Sequence, residues 1–129
     1  MEKPHKRLHA WRKGMDLVRL VYDATRTFPV AERYGLTGQI RRATVSVVAN
    51  LAEGAARRNP REFLQFVQIA AGSVSELDTL LEVSTQTGLM DQSTWEMLDA
   101  RLAEVDRLLF GLRRYLQRLI PTKQGGDKR

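Results

Sequence analysis

The sequence predicts an all-α protein, an antiparallel up-down-up-down four-helix bundle. Three observations carry that prediction. Apolar residues recur at alternating steps of three and four in four successive stretches, short runs with proline, glycine or asparagine separate them, and no alternating strand pattern competes. The 129 residues suit one domain with a core of its own, and 43% apolar with 28% charged residues is an ordinary globular composition. There is no cysteine, so disulfides and thiolate metal sites are excluded.

The first helix is expected at residues 9–27, with Leu8, Trp11, Met15, Val18, Tyr22 and Thr25 as its stripe. It ends at Phe28-Pro29, because the residue before proline avoids the α region. The second is expected at 34–57, with Leu36, Ile40, Ala43, Val47, Leu51 and Gly54 facing the core. Asn59 caps the third and Pro60 takes its first position. That helix runs to about residue 87 on Phe63, Phe66, Ala70, Ser73, Leu77, Leu80 and Ser84, and Gly88 supplies the left-handed residue after it. Asp91 or Ser93 caps the fourth, whose stripe of Leu98, Leu102, Val105, Leu109, Leu112, Leu116 and Leu119 is unbroken until Pro121. Residues 1–8 form a basic lead, 9–120 the bundle and 121–129 a flexible tail. Short connections between long helices force neighbours antiparallel.

The second helix is apolar on two sides. Opposite the stripe centred on Val47 stand Val45, Val48, Ala49, Ala52 and Ala56, while Gln39, Arg42, Ser46, Asn50, Glu53 and Arg57 crowd one flank. If one side faces the core of a single bundle, the other is expected to meet a second subunit. The alternative, alanines serving only as good helix formers, leaves Val45 and Val48 unexplained. These five residues are the oligomer-interface candidates.

Chemistry is sparse, and no catalytic, cofactor-binding or metal-binding residue is assigned. His5 and His9 stand four apart with no nearby carboxylate to complete a metal site, and no histidine follows to build a di-iron bundle centre. Gly35-Leu36-Thr37-Gly38 lacks the following lysine and preceding strand of a phosphate loop, and reads as a loose helix start. Glu53 is expected to pair with Arg57 one turn on, and Ser46, Asn50 and Glu53 align as a polar line. A non-enzymatic protein is expected. No signal peptide or membrane span is visible, which suits the cytoplasm.

Net charge is +6, unevenly spread. Residues 1–14 carry five positive charges against one negative, and 33–58 the same, whereas 60–88 carry one against four. Four dibasic pairs, Lys6-Arg7, Arg12-Lys13, Arg41-Arg42 and Arg57-Arg58, fall in the first half. Repeated cations on one surface suit phosphate contacts, so these eight are the nucleic-acid-binding candidates; a merely solubilising surface is the other reading. No sequence-reading motif is present, and Trp11 and Tyr22, placed on the core stripe, are poor stacking platforms.

Several runs carry a resemblance: Tyr34-Gly35-Leu36, Gln39-Ile40-Arg41-Arg42-Ala43, Ser46 and Ala49-Asn50-Leu51-Ala52-Glu53-Gly54, supported by Glu62-Phe63-Leu64 and Ile69-Ala70-Ala71-Gly72-Ser73. Together they resemble the four-helix-bundle family named for the 23S rRNA intervening sequence, over residues 8–119. The resemblance implies a homopentameric ring, no catalytic residues, and kinship with basic accessory proteins of diversity-generating retroelements that bind nucleic acid and a reverse transcriptase. The expected function is a homo-oligomeric module that associates with RNA, DNA or a nucleic-acid enzyme through its basic surface. A protein-binding scaffold is the alternative.

Overall fold

A computed structural model describes residues 3–121; the tail predicted beyond Pro121 lies outside them. Four helices follow one another: α1 His9–Thr25, α2 Leu36–Ala55, α3 Pro60–Gln86 and α4 Gln92–Leu119. Short 3₁₀ turns at Pro4–Arg7 and Val30–Glu32 flank α1, and there is no strand among the described residues.

The predicted punctuation sets the helix ends. Asn59 Oδ1 accepts the Arg61 amide at 2.8 Å, and Asp91 Oδ1 accepts the Thr94 amide at 2.8 Å, so each supplies an acceptor to an otherwise orphaned donor. Asp91, rather than Ser93, is thus the cap of α4. Gly88 has φ +79°, and the Leu89 and Gly88 amides bond back to Ser84 O and Thr85 O at 2.9 and 3.1 Å, closing α3 as a Schellman motif. α2 is two residues shorter at each end than expected. Gly35 N turns back to Glu32 O at 3.0 Å, and Arg57 N to Gly54 O at 3.0 Å, so both ends close in tighter turns.

Each helix packs against two neighbours in cyclic order α1, α2, α3, α4, with no close backbone approach across either diagonal. Sequential neighbours are antiparallel, which is the up-down-up-down arrangement. The core runs through Leu17, Val21, Ile40, Val47, Leu51, Val67, Leu77, Leu81, Leu98, Val105 and Leu109, all essentially closed to solvent. The α4 stripe matches its prediction, except that Leu112 is partly buried and Leu119 exposed.

Two expectations need correction. In α1 the buried face is Ala10, Gly14, Leu17, Val21 and Thr25, adjacent to the predicted stripe; of the latter, Met15 and Tyr22 are exposed. α1 lies close to α2 at its small residues, and its bulkier side chains are displaced to the rim. In α2, Val48 is only 6% exposed, and a Cβ built on Gly14 would fall 2.6 Å from its Cγ1. A helix in a four-membered ring touches two neighbours and buries an arc rather than a line, so α1 already covers Val48. Val45 at 40% exposure, Ala49 and Ala56 remain exposed, and Ala52 is partly buried.

Apart from Thr37, the buried hydroxyl groups of the bundle are paired locally. The Ser46 and Ser73 hydroxyls meet at 2.8 Å between α2 and α3, and Asn50 Nδ2 donates to Ser46 O at 2.8 Å and Ser46 Oγ at 3.1 Å. The expected polar line is therefore an interhelical clasp, with Glu53 turned instead to Arg57 at 3.4 Å. Among the described residues, no helix is long and apolar enough to cross a membrane.

A candidate nucleic-acid interface

The antiparallel order places the start of α1, the end of α2, the start of α3 and the end of α4 at one end of the bundle. Lys6, Arg7 and Arg12 come there from the first turns of the chain, and Arg57 and Arg58 from the α2–α3 connection. The same topology adds Arg61 from α3 and Arg113, Arg114 and Arg118 from α4, none of which was a sequence candidate. Among the described residues, Glu53 and Glu62 are the acids nearest in chain position to this end. Glu82, Asp91, Glu96 and Asp99 gather at the other alongside Arg26, Arg33, Arg41 and Arg42, so the excess of positive charge lies at the first end.

Individual contacts tie this basic end together. The Pro4–Arg7 turn packs on α1 and α2, and Arg12 Nη2 donates to Arg7 O at 3.0 Å. Arg61 Nη2 donates to Pro121 O at 3.4 Å, joining the start of α3 to the end of α4. The Arg57 guanidinium lies 5.2 Å from the Phe66 ring centre. Arg113 and Arg114 lie 5.9 and 5.8 Å from the ring centre of Phe110, which is 53% exposed. Arg58, Arg61, Arg113, Arg114 and Arg118 have no carboxylate within 4.0 Å among the described residues. Their charge is carried outward, the condition for contact with phosphates.

The remaining sequence candidates lie elsewhere. Lys13 pairs with Glu104 of α4 at 3.5 Å. Arg41 and Arg42 lie near the start of α2, Arg41 fourteen residues before its last residue Ala55, about 21 Å at 1.5 Å rise per residue, whereas Arg57 and Arg58 lie just beyond that far end. Arg41 Nε donates to Thr25 Oγ1 at 3.0 Å, its Nη2 to Tyr22 O at 3.4 Å, and its guanidinium stacks 4.4 Å from the Tyr22 ring centre. Tyr22 is 38% exposed, contrary to its predicted core position. His5 meets the edge of Trp11 at 4.8 Å between ring centres, and the described residues hold no metal-binding cluster of histidines and acids.

The missed arginines had a readable signal. Once four alternating helices are accepted, residues early in the third and late in the fourth must share an end with residues late in the second.

The clefts between α3 and α4 are shallow. One is lined by Asp78, Asp99 and Asp106 with Val74 and Leu102, the next by Arg107, Phe110 and Arg113 with Ala71 and Leu109. Hydrogen bonds from Thr94 and Ser93 hold the Asp91 carboxyl below its usual range, which reflects its capping role.

The fold and the comparisons agree. The profile of the family described as 23S rRNA-intervening sequence protein matches residues 6–111. The chain belongs to that family. A solved structure from Bacteroides thetaiotaomicron VPI-5482, described as a protein with unknown function from the S23 ribosomal protein family, is similar with a TM-score of 0.73. It is 21% identical, over 81% of this chain and 97% of that one, and the likeness shows a shared fold. No curated protein matches the chain.

Proposed function

We propose that this member of the 23S rRNA-intervening sequence family is a non-enzymatic module that associates with nucleic acid, or a nucleoprotein, through its basic end. The observation that carries the reading is the convergence of arginines from the chain start, the α2–α3 connection, the start of α3 and the end of α4 onto one pole. Arg58, Arg61 and Arg118 are without carboxylate partners there among the described residues. Guanidiniums make forked, charge-assisted hydrogen bonds to phosphates, and each phosphate neutralised releases a counterion. Phe110, with Arg113 and Arg114 beside its ring, adds an exposed aromatic surface on which an unpaired base can stack.

Self-association belongs to the same proposal. Val45, Ala49 and Ala56 leave an exposed small-residue strip on α2, and a closed ring of copies would repeat the basic end once per subunit. The test is fluorescence anisotropy of short RNA and DNA at low salt, paired with light scattering of the protein alone. Binding by a species larger than one chain supports the proposal. A monomer that binds neither polymer overturns it.

A further inference from the structure

Thr37 stands apart from the other buried hydroxyl residues. Thr25, Thr44 and Ser84 each donate to a helical carbonyl within 2.9 Å, and Ser73 meets Ser46. The Thr37 side chain is 8% exposed, and its buried Oγ1 has no hydrogen-bond partner among the described residues. An unmade bond at such a group is costly, so a missing acceptor or donor from outside the chain is the natural complement.

The surroundings specify what that complement is. Thr37 lines a cleft of about 160 Å³ together with Arg26, Arg33 and Arg41. Arg41 is held in place by Thr25 and Tyr22, which engage its Nε and Nη2 and leave Nη1 without a bond among the described residues. Arg33 has no carboxylate within 4.0 Å among the described residues, and Arg26 shares its charge with Asp23 at 2.6 Å. The cleft also adjoins the start of α2, a 20-residue helix whose N-cap, Gly35, offers no side-chain acceptor. The Leu36 amide has only a long 3.4 Å contact with Glu32 Oε1, and no bond from the Thr37 or Gly38 amide is found among the described residues. Orphaned amides, the positive end of a helix dipole, forked guanidiniums and an unpaired hydroxyl favour one chemistry, a tetrahedral oxyanion.

We propose that this cleft, at the pole opposite the basic end, binds a single phosphate group. Thr37 donates its hydroxyl to a phosphate oxygen, while Arg33 and Arg41 carry the charge. The phosphate displaces the Glu32 carboxylate from the first amide or sits beside it. The Gly35-Leu36-Thr37-Gly38 run is then a phosphate cradle at a helix start, without the lysine of a nucleotide loop.

The test is an NMR titration of the full chain with inorganic phosphate, against chloride at matched ionic strength. Saturable shifts at the Leu36, Thr37 and Gly38 amides and the Arg41 Nε–H are expected with phosphate alone. Thr37→Val keeps the shape, removes the unpaired hydroxyl and weakens phosphate about tenfold or more, as loss of a bond to a charged group does. It also unfolds at a higher temperature than the parent when phosphate is absent. Arg33→Ala, at the exposed rim, weakens phosphate without altering the unbound fold. No saturable shift, the same shifts with chloride, or a Thr37→Val protein that titrates like the parent overturns the proposal. Adenosine monophosphate and a 5′-phosphorylated oligonucleotide distinguish the sources. Equal binding assigns a free phosphorylated small molecule, and tighter binding of the oligonucleotide, preserved when Arg58 and Arg61 are replaced, assigns a nucleic-acid phosphate.

Discussion

Gly14 faces Val48 so closely that a Cβ on the glycine would lie 2.6 Å from the valine Cγ1. That contact sets the spacing of α1 and α2 and explains why Val48 is unavailable to another subunit. Gly14→Ala gains about 1 kcal/mol of helix propensity but incurs an overpacking cost of about 1–3 kcal/mol, since a β-branched side chain in a helix has one preferred rotamer. A net loss of stability in urea denaturation is expected, with part of it relieved in a double variant that also carries Val48→Ala. An unchanged or raised midpoint for Gly14→Ala would show that the helices are free to separate.

The Ser46–Ser73 clasp predicts a different pattern. Ser73→Ala removes one partner of Ser46 and leaves the Asn50 bond at 3.1 Å, so the loss is on the order of 1 kcal/mol. Replacing both serines by alanine costs less than the two single changes added together, because they share one bond. Strict additivity across the cycle contradicts the clasp.

Asp91 predicts a pH dependence. Its carboxyl titrates below its ordinary value because Thr94 and Ser93 hydrogen-bond the ionised form. A group depressed in the folded state stabilises above its unfolded pKa, and that contribution is lost as pH falls through the folded value. Thermal melts of Asp91→Asn, which keeps a capping acceptor, are expected to lose this acid-side slope. A variant whose melts track the parent over the acid range refutes the assignment.

The fold was legible because its signals are local. The α4 stripe, the Asn59-Pro60 start and Gly88 are each decided within a turn or two of chain. The α1 face was less legible because side-chain size does not show where backbones approach: Gly14 and Ala10 are buried there, while Tyr22 and Met15 ride the rim. The Val48 error came from treating a helix as having one inner side when two neighbours cover it. The candidate interface was half legible. Dibasic runs mark Arg57 and Arg58 and Arg61 follows three residues on, but Arg118 joins them only through the fold, and Arg41-Arg42, identical in sequence appearance, goes to the opposite end.

Removing the exposed strip tests assembly separately from binding. Ala49→Glu places a charge on the α2 face without touching the core, so light scattering is expected to fall from a multiple of the chain mass to one chain. The folded signal in circular dichroism is expected to persist. An assembly that tolerates this change does not use that face.

The central claim is that phosphate contacts are made at the basic end, where arginines from separate helices meet. Its most direct measurement is the salt dependence of RNA and DNA affinity for the parent, for Arg58→Gln/Arg61→Gln/Arg118→Gln, and for Arg42→Gln. Each lost phosphate contact lowers the slope of log affinity against log salt by about 0.7 to 0.9. The account predicts a slope reduced by about two to three in the triple variant, and a parental slope in Arg42→Gln. Equal slopes in all three proteins, or a loss confined to Arg42→Gln, would contradict it.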